Sequence, residues 1–81
     1  MNGRISILTH PSIGSIRFSW LDDVDALPIE VTFIPKKWMP FWIINDMRLT
    51  ANQSVAVVRT HAREIWLHLV NQGWIEKEAK V

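Results

Sequence analysis

Two histidines and one glutamate, His61, Glu64 and His68, are separated by three and four residues in the last third of the chain. In a helix this spacing places the three side chains on one flank, where imidazole and carboxylate groups could hold a metal ion or exchange protons. Helical di-metal sites draw such pairs from several helices, and the HExxH spacing of zinc enzymes is absent. Solvated helix residues are the favoured interpretation, so the sequence predicts no metal site and no cofactor.

Other residue types that carry out catalysis are scarce. The acidic segment Asp22, Asp23 and Asp25 lacks the glycine and the terminal glutamate of a calcium-binding loop, and is interpreted as a solvated turn. The chain contains no cysteine, and it has no GxSxG, Walker or dinucleotide-binding glycine pattern. His10 and Ser12 lie close together in a turn, but no third group is identified to orient them. The sequence therefore predicts a protein that is not an enzyme.

A short basic segment next to a tryptophan suggests another chemistry. Lys36 and Lys37 precede Trp38, and Arg17 lies on the polar side of a predicted strand. Positive charge beside an exposed aromatic ring is typical of proteins that bind single-stranded nucleic acid. The formal net charge is only +1, and one helix cannot make a helix-turn-helix. Nucleic-acid binding through these four residues is kept as the alternative function.

Two segments, 15–20 and 29–34, alternate between apolar and polar residues as half-buried antiparallel strands do. Pairing Ile16 with Phe33 and Phe18 with Val31 places their apolar side chains on one face, and a slip of one residue would turn them outward. A first strand over 5–8 and a candidate fourth strand over 41–44 complete the predicted sheet. The two prolines of 35–40 make that segment a loop or an edge.

The last third of the chain carries helix signals at both ends. Thr50 and Gln53 have the spacing of a capping box, while Gly73 and Trp74 are typical of a Schellman motif closing on Leu69. The fold predicted is therefore α+β: a small antiparallel sheet of three to four strands within 4–44, in β-β-β(-β) order, and one long C-terminal helix over 50–72 packed on one face. A frayed, charged tail over 75–81 follows. The predicted core contains Ile5, Ile7, Ile16, Phe18, Trp20, Ile29, Val31, Phe33, Val55, Val58, Ala62, Ile65, Trp66 and Leu69.

Length and composition favour one small domain, 1–81, that gains stability by association. A core of this size supplies only a few kcal/mol, and without cysteine no disulfide can add to it. The sequence shows no signal peptide and no apolar run long enough to span a bilayer. We therefore expect a cytoplasmic protein that does not enter a membrane.

The segment 41–44 is apolar on both sides, which one helix on one face of a sheet would not cover, and Trp38 and Met39 lie just before it. This predicts an apolar surface patch of Ile34, Trp38, Met39, Trp42 and Ile44, joined less strongly by Val57 and Leu67 on the minor face of the helix. The competing interpretation is that the loop folds over the patch and Trp38 enters the protein's own core. If the patch is exposed, we expect a small regulatory or adaptor protein that uses it to pair with itself or with a larger protein.

Overall fold

A computed structural model describes residues 3–22, 26–44 and 46–78. In chain order, its elements are β1 (Gly3–His10), β2 (Gly14–Leu21), β3 (Ile29–Pro35), β4 (Phe41–Ile44), β5 (Met47–Thr50), β6 (Ser54–Val57), α1 (Arg59–Asn71) and β7 (Ile75–Glu78). The expectations for Asp23 and Asp25 and for 79–81 lie outside the described residues.

Five strands form one antiparallel sheet in the order β6-β3-β2-β1-β7, and β4 pairs with β5 in a separate two-stranded sheet. The prediction of a three- to four-stranded sheet with one long helix is therefore wrong. The described chain is mostly sheet, with one helix of 13 residues. The predicted fourth strand exists, but its hydrogen bonds go to β5 and not to the main sheet.

The predicted register between β2 and β3 is confirmed. Ile16 lies opposite Phe33, and Phe18 lies opposite Val31, so these four apolar side chains share one face. All four are buried. The physical reason is the period of two, because a shift of one residue would bring Arg17 and Thr32 into the core instead.

The predicted helix over 50–72 is wrong in its first nine residues. Gln53 donates its backbone N–H to the carbonyl of Thr50 at 3.2 Å, and Asn52 adopts a positive φ of 61°, so the predicted capping box is a turn. The residues that follow, Ser54–Val57, form β6 and pair with β3. The alternating valines of this segment suit a pleated strand, and hydrogen bonding to β3 outweighs the weak local preference for a helix.

The predicted C-terminal end of the helix is confirmed. The predicted frayed tail is wrong for Ile75–Glu78, which form a strand. Trp74 donates its backbone N–H to Leu69, and Gly73 donates to Val70, which is the Schellman pattern, with Gly73 at a φ of 97°. Beyond it, Ile75–Glu78 pairs with β1 as an edge strand. Charged residues are common on edge strands because they discourage further pairing. Because this segment is charged, the sequence predicted a solvated tail and not a strand.

One face of the five-stranded sheet is covered by α1 and by the β4–β5 hairpin. The buried core there consists of Leu8, Ile16, Phe18, Val31, Phe33, Ile44, Leu49, Val57, Ala62, Ile65, Leu69 and Trp74. Ile5 and Ile7 were expected in this core, but they lie on the opposite face because β1 buries Ser6 and Leu8 instead. Val58, also expected in the core, is 64% exposed because it precedes α1.

Candidate functional site

Four of the seven predicted interface residues pack into the protein's own core. Ile44 and Val57 are buried, and Val57 belongs to β6, not to a helix. Met39 and Trp42 are partly buried against the core, and the Trp42 ring centroid lies 6.4 Å from that of Phe33. These side chains are covered by their own protein, so they do not form the contiguous outer patch that the sequence predicts.

The other three predicted interface residues are exposed, but the structure does not bring all of them together. Trp38 is 89% exposed in the loop after β3, and Ile34, at the end of β3, is 40% exposed. Leu67 is 50% exposed on α1, whose residues Ala62 and Ile65 face the sheet. Leu67 therefore lies on the outer side of the helix layer, away from Ile34.

The sheet face opposite α1 is not covered by any element of the described ranges. We call this surface the open face; by strand register it carries Ile5, Ile7, Thr9, Ser15, Arg17, Ser19, Glu30, Thr32, Ile34, Ser54, Ala56, Ile75 and Lys77. At one end of it, Thr9, Ser15, Ile34 and Ile75 form a cross-strand row in a shallow hollow of about 500 Å³. Lys36 also lines this hollow, two residues before Trp38.

The centre of the open face is polar and holds both signs of charge. Arg17 lies between Ile7 on β1 and Thr32 on β3, and Lys77 lies beyond Ile7. The Arg17 Nε is buried without a hydrogen-bond partner among the described residues. Thr32 is buried and its hydroxyl lies 2.8 Å from that of Ser54. Glu30 is exposed on β3, one row away from Arg17 on the neighbouring strand.

The residues of the nucleic-acid alternative are only partly free. The Lys36 ammonium donates to the carbonyl of Pro11 at 2.8 Å, which ties the loop to the β1–β2 turn. Lys37 and Trp38 are exposed, and Arg17 belongs to the open face. Lys36, Lys37 and Trp38 thus form a basic and aromatic loop at the end of the sheet.

A second concave surface lies on the other side of the sheet, where α1 crosses it. This cleft, of about 550 Å³, is lined by Ser6, Phe18, Trp20, Ile29, Arg59, Thr60, Ala62, Arg63, Trp66 and Glu76. The sheet provides its floor, and α1 provides one wall with residues one turn apart. Sequence analysis missed this cleft as a site, because Glu76 fell in the predicted tail. The i, i+4 spacing of Arg59 and Arg63, with Trp66 one turn further, was the available signal.

Hydrogen bonds hold the polar side chains at the two ends of the cleft. Arg59 donates through Nη2 to the carbonyl of Leu21 at 2.6 Å. At the other end, the Ser6 hydroxyl donates to Glu76 Oε1 at 3.2 Å. Arg63, on the same flank of α1 as Arg59, makes no hydrogen bond or ion pair within the described ranges.

The Asp22 carboxylate binds the side chains of both Arg4 and Trp20. It accepts a hydrogen bond from Arg4, with which it also forms an ion pair, and a second from Trp20 Nε1 at 3.1 Å. The hydrogen bond from Arg4 lowers the pKa of the Asp22 carboxyl below its ordinary value of 3.8, partial desolvation opposes this change, and the Trp20 bond adds to it.

The histidine and glutamate set on the helix forms no metal centre within the described part of the chain. His61 Nδ1 lies 3.7 Å from Glu64 Oε2, and both belong to the solvated side of α1 together with His68. No group of three metal-ligating side chains is found among the described residues.

The described part of the chain has no helix long and apolar enough to cross a membrane. Comparisons of the chain with protein-family models, with curated proteins and with solved structures found no match.

Proposed function

We propose that this protein is non-catalytic and acts by protein–protein interaction, pairing with a second copy of itself across the open face. The observation that supports this most is the sheet face opposite α1, which four isoleucines share with Arg17. Two of these isoleucines, Ile34 and Ile75, are exposed, at 40% and 67%. Exposed apolar side chains grouped on one face are typical of interaction surfaces.

The area of the open face suits a weak dimer. The five strands contain 8, 8, 7, 4 and 4 residues. With about 3.3 Å per residue and about 4.8 Å between strands, the face measures roughly 500 Å². Two such faces bury roughly 1,000 Å², which is the lower limit for a biological interface. The exposed Trp38 loop beside the hollow adds to this area, and we expect a dimer that depends on concentration.

The charges of the open face favour a second copy over an unrelated partner. Arg17 and Lys77 are positive, and Glu30 is negative, so the face contains both members of an ion pair. In a two-fold contact each residue meets the same face of its partner, and Arg17 of one copy approaches Glu30 of the other. Such an arrangement offers the Arg17 guanidinium a charged acceptor.

Analytical ultracentrifugation over a range of concentrations tests this proposal. We expect a monomer–dimer equilibrium in the wild type, and a shift towards monomer in Ile34→Glu, which places a charge in the face. Leu67→Glu is the matched control, because Leu67 is also exposed, at 50% against 40% for Ile34, but lies on the outer side of α1. Circular dichroism checks that each variant is folded. A wild type that stays monomeric at millimolar concentration contradicts the proposal, as does dissociation by Leu67→Glu alone.

The second candidate function is binding of single-stranded nucleic acid by the loop of Lys36, Lys37 and Trp38, together with Arg17. The 89% exposure of Trp38 beside the exposed Lys37 favours it, because a free indole can stack on a base. Titration of an oligonucleotide at several salt concentrations tests this function. Loss of affinity in Trp38→Ala with an unchanged dimer supports it, whereas absence of any salt-dependent binding in the wild type contradicts it.

A further inference from the structure

We infer that the cleft between α1 and the sheet binds a small aromatic ligand that carries an anionic group and N–H hydrogen-bond donors. The cleft is on the opposite side of the sheet from the open face. The inference therefore does not depend on the proposed dimer, and either can fail without the other.

The size and apolar lining of the cleft suit the body of such a ligand. Its volume of about 550 Å³ lies within the range of roughly 300 to 1,000 Å³ that is usual for small-molecule sites. Trp20 comes from the sheet and Trp66 from α1, so large aromatic side chains line the cleft from both of its layers. Phe18 and Ala62, which belong to the buried core, also line the cleft. An aromatic ring is the ligand group that gains most from such a lining, through stacking and area burial.

Arg63 provides the group that would recognise an anion. Its side chain lines the cleft and makes no hydrogen bond or ion pair with another described residue, so its five donors are available. Arg59, one turn before it, is held in place by the carbonyls of Leu21 and Leu27 and adds a second positive charge to the same wall. A planar guanidinium pairs well with carboxylate or phosphate oxygens.

Glu76 and Ser6 provide the acceptors that would recognise N–H groups. The Ser6 hydroxyl donates to one oxygen of Glu76, and an ionised carboxylate has about four lone-pair directions, so most of its acceptor capacity remains. Ser6 is buried, which fixes the position of this pair at the edge of the sheet between β1 and β7. A ligand with an ammonium or an amide N–H near this pair gains a charge-assisted hydrogen bond.

Two classes of metabolite share this chemistry. An aromatic amino acid has a ring, a carboxylate and an ammonium group, and a purine nucleoside monophosphate has a base with N–H donors and a phosphate. A purely apolar ligand would leave Arg63 and Glu76 without a role, and a simple anion would not use the two tryptophans. The shared chemistry is therefore an aromatic ring with an anion and N–H donors.

Nuclear magnetic resonance of ¹⁵N-labelled protein tests the inference with L-phenylalanine and guanosine monophosphate as the two probes. The chain has five tryptophans, whose indole N–H signals report on separate regions. We expect Trp20 and Trp66 to shift with at least one probe, and Trp38, Trp42 and Trp74 to stay unchanged. The responding probe identifies the class of ligand. No shift with either probe at millimolar concentration overturns the inference, and so does an equal shift of all five signals.

Variants test the cationic group and the acceptor group of the cleft separately. Arg63→Gln should weaken the binding of the responding probe by about tenfold, because one charge-assisted contact is lost. Arg48→Gln is the control, since Arg48 lies over the Phe41 ring on the β4–β5 hairpin, outside the cleft. Glu76→Gln should reduce the preference for probes with a donor over 3-phenylpropionate, which lacks the ammonium group. Unchanged affinity in both Arg63→Gln and Glu76→Gln overturns the assignment of these two groups to the ligand.

Discussion

Arg59 joins the first turn of α1 to the end of β2 by donating to the carbonyl of Leu21, 38 residues away in sequence, at 2.6 Å. Its Nε donates to the carbonyl of Leu27 at 3.2 Å, so the same side chain also holds the segment that precedes β3. The helix begins without a side-chain cap, and this guanidinium is a main polar link between the start of the helix and the sheet.

Loss of the Arg59 contacts should destabilise the fold. We expect Arg59→Leu to lower the free energy of unfolding by about 2 kcal/mol, because two carbonyls lose a charged donor. Urea denaturation followed by circular dichroism measures this change. Arg63→Leu is the matched control on the same helix and should change stability by less than about 0.5 kcal/mol. Equal effects of the two variants would show that the link to Leu21 and Leu27 is unimportant.

Gly14 should not tolerate a side chain. It has a φ of 140°, and a Cβ there would lie 2.7 Å from the backbone nitrogen of Lys36 and 2.8 Å from Pro35 Cα. We expect Gly14→Ala to cost about 2 to 4 kcal/mol, from backbone strain and from displacement of the end of β3. Gly3→Ala is the control, because a Cβ added at Gly3 would have no atom of the described residues within 4 Å. The midpoint temperatures of thermal unfolding compare the two variants. Similar midpoints would contradict the close backbone approach at Gly14.

The boundary of α1 can be tested through two apolar residues of which only one is buried. Ile65 is fully buried under the helix, so Ile65→Ala should leave a cavity and cost about 2 to 5 kcal/mol. Val58 is 64% exposed just before the helix, so Val58→Ala should have little effect on the free energy of unfolding. A large loss in Val58→Ala, measured by urea denaturation, would favour the longer helix that the sequence predicts.

The pKa of Asp22 gives the direction of one contribution to pH dependence. The pKa of Asp22 is lowered in the folded state, chiefly by the hydrogen bond from Arg4. The ionised Asp22 carboxylate therefore contributes to stability above pH 3.8, and this contribution is lost as the pH falls through the lower pKa of the folded state. Asp22 is exposed, so the effect is small. We expect wild type and Asp22→Asn to differ in free energy of unfolding at pH 7, and this difference to become smaller below pH 4. A difference that stays constant over this range, in urea denaturation at each pH, would contradict the link to Arg4.

Part of the candidate site could be predicted from the sequence and part could not. The exposure of Trp38 agrees with a loop bounded by two prolines, since that loop cannot join a sheet. Burial of Ile44 and Val57 could not be foreseen, because it depends on the hairpin with β5 and on the pairing of β6 with β3. The cleft with Arg63 and Glu76 depends on β7 returning to β1, a contact between opposite ends of the chain.

The sequence by itself determined the features whose signals are local or strictly periodic. The alternation in β2 and β3 specified their register, and Gly73 with Trp74 specified the end of α1. Only the tertiary structure decided whether Ser54–Val57 is helix or strand and whether Ile75–Glu78 is a tail or a strand. Alternating valines and a mixed charged segment have weak local preferences, and backbone hydrogen bonds to strands distant in sequence are worth more than those preferences.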